Sequence, residues 1–150
     1  MVLPFRAAMM LPPPGVIINA PKFGAWYPGQ EELLRTILSW LDGPQRYLCA
    51  NVPTGFGKSV VTMVAAALTG TKTVYLTHTK GLQDQLLADF KKPVGLREIR
   101  GQNNYVCMDA PPTRVDAGKC HAGIACNLHS ECSYYTSLAG AREGRVVNTN

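Results

Sequence analysis

No apolar run in this sequence approaches the roughly 20 residues that a membrane-crossing helix needs. The start, Met1 to Ala20, is apolar, but Pro4, Pro12, Pro13 and Pro14 interrupt it. It has no compact apolar segment followed by a small-residue cleavage site, so it does not read as a secretion signal. An intracellular protein without a membrane partner is the expectation. Internal repeats and low-complexity tracts are also lacking. Charged residues make up only 17% of the chain, against 46% hydrophobic residues, which excludes a disordered polyelectrolyte. The 150 residues are enough for one domain with a real core. The formal net charge of +5 permits a polyanionic partner without demonstrating one.

What is present falls into an order. Residues 1–27 are rich in Pro, Gly and apolar side chains, and predict an irregular lead-in with one short extended stretch at Val16–Ile18. Pro28 to Asp42 predicts a helix. Pro28 suits its first turn, Leu33, Leu34, Ile37, Leu38 and Leu41 share one face, and Gly43-Pro44 stops it. Tyr47–Val52 predicts a strand, in which Cys49 is a small buried apolar residue. A helix over Ser59–Leu68 follows, closed by Gly70. Thr73–Thr77 predicts a buried strand, and Gly81–Phe90 a helix with Leu82, Leu86, Leu87 and Phe90 inward. Val94–Arg100 is a third strand candidate. Ser133–Arg142 returns to helix and Arg145–Thr149 to strand. Alternating strands and helices predict an α/β domain with a parallel sheet and right-handed crossovers.

The chemistry concentrates at Pro53-Thr54-Gly55-Phe56-Gly57-Lys58-Ser59, between a predicted strand and a predicted helix. Glycines there let backbone N–H groups wrap phosphate oxygens, and the helix N-terminus adds a favourable dipole. Lys58 would contact the β- and γ-phosphates of ATP, and Ser59 would hold Mg²⁺ through its hydroxyl. The full phosphate-loop pattern asks for a glycine where this sequence has Val52.

A second cluster lies between Cys107 and Cys132. Cys107, Cys120, Cys126 and Cys132 are separated by gaps of twelve, five and five residues, in a stretch with little hydrophobic periodicity. Four thiolates suit a [4Fe–4S] cluster or Zn²⁺. No close Cys-x-x-Cys pair is present, so spacing alone does not choose the metal. His121 and His129 lie within the stretch and could replace a cysteine at a zinc site. A cluster would cross-link a loop that cannot fold on apolar burial alone.

Several motifs together resemble a known family. Pro53–Ser59 looks like motif I of superfamily 2 helicases, which relax the position held here by Val52. Tyr27-Pro28-Gly29-Gln30 is similar to the Q motif, which reads adenine. Thr77-His78-Thr79-Lys80-Gly81-Leu82-Gln83-Asp84-Gln85 looks like motif Ia, which touches the DNA backbone. Arg100-Gly101-Gln102-Asn103-Asn104-Tyr105-Val106-Cys107 is similar to the entry into the iron–sulfur insertion of XPD/DinG-type helicases. Tyr134-Tyr135 and Val146-Val147-Asn148-Thr149-Asn150 resemble that family's return to the motor.

The resemblance implies a partial RecA-like P-loop domain over residues 28–100. An iron–sulfur insertion over 101–132 interrupts it, and 133–150 return to it. It implies ATP, Mg²⁺ and a [4Fe–4S] cluster held by Cys107, Cys120, Cys126 and Cys132, with Zn²⁺ as the alternative. Pro53, Thr54, Gly55, Phe56, Gly57, Lys58 and Ser59 would hold the nucleotide, with Gln30 on the adenine. Thr77, Thr79 and Gln83 would line the track of single-stranded or forked DNA. Lys91, Lys92, Arg97, Arg100, Arg114 and Lys119 could add phosphate contacts.

One element of a complete motor is not found. The acid that holds Mg²⁺ should stand at the end of an apolar strand. Asp42, Asp84, Asp89, Asp109 and Asp116 stand in helix or loop contexts instead. The expectation is therefore the N-terminal part of a helicase that couples ATP hydrolysis to movement on DNA. Alone it should bind nucleotide weakly, unwind nothing and, with an unpaired sheet edge, be poorly soluble. The alternatives are another P-loop enzyme with a structural zinc module and a non-catalytic nucleic-acid-binding remnant.

Overall fold

The structure is a computed structural model that describes residues 10–150. The chain divides into two compact units, ending and starting at Thr71 and Lys72. That part of the irregular lead-in formed by residues 1–9 lies outside the described residues.

All the regular structure in the described part of the first unit is helical. α1 is a single turn, Pro14–Ile17. It replaces the extended stretch expected at Val16–Ile18. Pro14 presets the helical φ of a first turn, and Gly15 donates to Phe23 O at 2.8 Å as the chain doubles back. α2 spans Gln30–Leu41. It starts two residues later than Pro28, because Gly29 takes φ 82° and serves as N-cap. Leu34 and Leu38 are buried, while Leu41 lies outside the apolar face. α3 spans Lys58–Thr69 and ends on Gly70 at φ 64°. Val61 and Val64 of α3 are fully buried with Leu34, so α2 and α3 form this unit's core with α1 against α3. Each such side chain contributes about 1.5–3 kcal/mol of burial.

Tyr47–Val52 is not a strand. It has no regular structure, and Tyr47, Leu48 and Cys49 are exposed. A strand needs a partner for its backbone groups, and the described part of this unit contains no other strand. The burial expected of Cys49 fails for the same reason.

The second unit holds a three-stranded parallel sheet in the order β1-β3-β2. β1 is Thr73–Leu76, β2 is Arg97–Glu98 and β3 is Val146–Thr149. The last strand in sequence sits in the middle, with Thr73 opposite Val146 and Arg97 opposite Val147. Val146, Val147 and Asn148 are accordingly buried. β1 is an edge with one open face rather than a buried strand: Val74 is 59% and Leu76 75% exposed.

α4, Lys80–Phe90, connects β1 to β2, and α5, Ser133–Glu143, leads into β3. Leu86 and Phe90 of α4 face inward, but Leu82 is 47% exposed and Gln83 takes the inward position. Residues 101–132 contain only two 3₁₀ turns, Gln102–Asn104 and Val115–Ala117, and an antiparallel bridge between Val106 and Arg114. No helix among the described residues is long and apolar enough to cross a membrane.

Candidate nucleotide and nucleic-acid sites

The segment before α3 turns on two glycines, Gly55 at φ 79° and Gly57 at φ 81°. Both are in the left-handed region that side chains other than glycine enter at a cost. Gly57 is the N-cap of α3 and offers no side-chain cap to its first turn. Lys58 is the first helical residue. Its ammonium donates to Pro53 O at 3.0 Å and reaches Val52 O at 3.5 Å. Pro53, Thr54, Gly55 and Lys58 are exposed, and Phe56, Gly57 and Ser59 are half-buried. A Cβ on Gly55 would meet nothing within 4 Å, so its left-handed φ and not crowding is what calls for glycine there.

Gln30 is 2% exposed. Its Oε1 accepts from Tyr27 N–H at 3.0 Å, and its Nε2 donates to Phe56 O at 2.6 Å. A Cβ on Gly57 would collide with that same Nε2, and one on Gly29 would touch the Phe56 ring at 3.3 Å. The glutamine of the Q-motif-like segment Tyr27–Gln30 is thus fastened to the turn at Phe56. Sequence reasoning paired Gln30 with a base; it missed that both amide ends are already engaged by backbone.

In the second unit, Thr77 donates from N–H to Thr149 O at 2.9 Å, and its hydroxyl lies 3.3 Å from Asn148 Oδ1. Thr79 is the N-cap of α4 and accepts from Leu82 N–H at 3.3 Å. Gln83 is fully buried; its Nε2 donates to Ile99 O at 3.4 Å, and its Oε1 has no hydrogen-bond partner. These three residues join strand, helix and sheet rather than presenting one polar surface.

Cys107 and Cys132 are buried around Val115, with Cys120, Tyr105, Tyr134 and Tyr135 packed against them. Cys126 is half-buried and, with Cys107, helps raise the pKa of Lys119, whose main cause is the hydrogen bond to Asp109. Burial, then a hydrogen bond with Cys120, raises the Tyr135 phenol. His129 stacks on Tyr135 with centroids 3.6 Å apart, and His121 Nδ1 pairs with Gln102 Oε1 at 2.8 Å. The thiols therefore share a neighbourhood. Among the described residues, however, no three His, Cys, Asp or Glu side chains converge as a metal's ligands would. The donor types fit a metal site and their placement does not.

Residues 24–107, more than half of the chain, match the family described as type III restriction enzyme, res subunit (ResIII). The chain belongs to the ResIII family. That family is helicase-like, of superfamily 2, and of the ATPase type that acts on nucleic acid. The ResIII match spans Gln30, the glycine turn and α4, and it ends at Cys107. It fits a partial RecA-like α/β fold with a small parallel sheet. No curated protein and no solved structure matches the chain.

Proposed function

We propose that this chain supplies the nucleotide-binding part of a superfamily 2 helicase that spends ATP on movement along single-stranded DNA. The observation that carries the reading is the turn from Pro53 to Ser59, opened by two left-handed glycines and placed at the start of α3. Backbone N–H groups at such a start attract phosphate oxygens. Lys58 would exchange Pro53 O for the β- and γ-phosphates. Ser59 would hold Mg²⁺, which would neutralise charge on the phosphates. Pro53, Thr54 and Phe56 complete the wall of the turn. Gln30 would position that wall through Phe56 O, and a contact from Gln30 to adenine would require it to give up a bond it now makes.

Among superfamily 2 enzymes, the XPD/DinG-type helicases remain the resemblance of choice, on the order of the motifs from Gln30 to Asn150. In that reading residues 28–100 and 133–150 belong to one motor domain and 101–132 are inserted in it. The function proposed does not run through a [4Fe–4S] cluster or Zn²⁺, because Cys107, Cys120, Cys126 and Cys132 do not converge on a common centre.

The test is nucleotide affinity, read with a fluorescent ATP analogue and Mg²⁺. Lys58→Ala is expected to weaken binding by about tenfold or more, the loss of roughly one charge-assisted contact. Equal affinity in both proteins would remove the phosphate-binding role of the turn, and with it the motor reading.

A further inference from the structure

The three strands of the second unit begin at one end of the sheet, and four cations stand there. Thr73 lies opposite Val146, so Lys72 and Arg145 enter the sheet side by side, and Thr73 donates from N–H to Arg145 O at 2.8 Å. Arg97 opens β2 opposite Val147. Arg142 stands in the last turn of α5, which leads into β3. All four are exposed. Thr77, Thr79 and Lys80 lie at the other end of the sheet, where β1 finishes.

Gly144 shows that the grouping is built. It has φ −63° and ψ 139°, a conformation open to any residue, so backbone freedom does not call for glycine there. A Cβ on Gly144 would stand 2.8 Å from Arg97 Cγ and 3.2 Å from Arg97 Cβ, with Gly140 O at 3.1 Å. The missing side chain leaves room for the stem of Arg97, which is laid against the residue before Arg145.

These charges are not used up inside the fold. The Lys72 ammonium donates to Arg142 O at the end of α5, where a cation also suits the helix dipole. Arg97, Arg142 and Arg145 make no side-chain hydrogen bond or ion pair among the described residues. Glu143, the carboxylate beside them in sequence, is exposed and makes no ion pair among the described residues. Four like charges across a three-stranded sheet end about 10 Å wide repel one another until a partner brings the opposite sign.

We propose that this sheet end is a docking surface for an acidic protein segment, one rich in Asp and Glu. Arg97 and Arg145 are its principal carboxylate contacts, with Arg142 and Lys72 beside them. The guanidinium fork matches a carboxylate through two parallel hydrogen bonds. Two features favour a peptide over a nucleic-acid strand. No member of the cluster is aromatic, so the stacking platform that single-strand sites use is not part of it. Glu143 also stands among the cations, and a phosphate backbone, charged at every nucleotide, would have to run past it. A peptide can set a neutral or basic residue opposite Glu143. This surface goes beyond the nucleotide and nucleic-acid reading and does not depend on it.

The test uses the full chain and fluorescein-labelled octaglutamate, read by anisotropy at about 50 mM salt, where exposed charges are less screened than in the cell. Arg97→Gln with Arg145→Gln keeps two long polar side chains and removes two charges. It is expected to weaken octaglutamate binding by about tenfold or more. Glu143→Gln removes the carboxylate and is expected to tighten binding by about twofold, a gain that a loss of fold cannot produce. Lys80→Gln with Arg114→Gln removes two exposed charges outside the cluster and is expected to change affinity less than about twofold.

Equal losses in the cluster and control variants would overturn the surface and leave a general attraction of a basic protein for an acidic peptide. So would octaglutamate binding that is unchanged in the cluster variant or absent from the wild-type protein. A thymidine strand of about eight nucleotides that displaces octaglutamate at equal charge, and is itself bound more weakly by the cluster variant, would make this end a phosphate surface and overturn the peptide. None of these results bears on the glycine turn, whose role is judged by the ATP analogue.

Discussion

Gln83 shows how far a side chain's chemistry can mislead about its place. An amide in a motif that follows a strand reads as a polar contact to DNA. In the fold it is fully buried between α4 and the end of β2, with a long bond to Ile99 O and an unpaired Oε1. A buried acceptor without a partner costs about 1–3 kcal/mol. Gln83→Met keeps the side chain's length and removes that orphan, so thermal stability is expected to hold or rise by a few degrees. Oligonucleotide affinity should be unchanged. A loss of DNA binding with the melting temperature intact would return Gln83 to the DNA track. Thr79 has a local role: its hydroxyl stands ahead of an amphipathic run and accepts from Leu82 N–H as the N-cap of α4.

At the scale of elements, the helices were the most readable. α3 ends where Gly70 predicts, and α5 begins directly after Cys132. Both boundaries come from local rules about glycine and periodicity. The strand expected at Tyr47–Val52 was not readable in this way, because an apolar run becomes a strand only when another strand accepts it. The irregularity of residues 101–132 was legible from their lack of hydrophobic periodicity, but not their internal arrangement, which depends on contacts among Cys107, Val115, Cys132 and three tyrosines. That packing makes the four cysteines unequal. Cys107→Ser and Cys132→Ser bury a hydroxyl and should each cost about 1–3 kcal/mol in a urea titration. Cys120→Ser and Cys126→Ser, at half-buried positions, should cost less than about 1 kcal/mol. Four equal losses, together with stoichiometric iron or zinc in the wild-type protein, would replace side-chain packing with metal ligation as what holds the module.

For the whole molecule, the sheet sets the main vulnerability. Among the described residues β1 is an edge strand, and its Val74 and Leu76 form an exposed apolar pair. Such an edge templates pairing with other chains. Leu76→Lys is expected to lower concentration-dependent aggregation, measured by light scattering, with little loss of stability because Leu76 is 75% exposed. Aggregation unchanged by this substitution would place the sticky surface elsewhere. The α/β class and the parallel sheet were readable from the alternation of apolar runs. The basic cluster at the strand starts was not, since Lys72, Arg97, Arg142 and Arg145 are brought together only by the folded chain.

The bonds from Lys58 to Pro53 O and from Gln30 to Phe56 O already satisfy polar groups that line the turn. If the proposed triphosphate binds there, it meets a Lys58 ammonium that already has partners. Its capture would be a substitution reaction, and the net gain the difference between incoming and surrendered partners. Affinity counted from the new contacts alone would therefore overshoot, by the grip that the loop's own bonds exert.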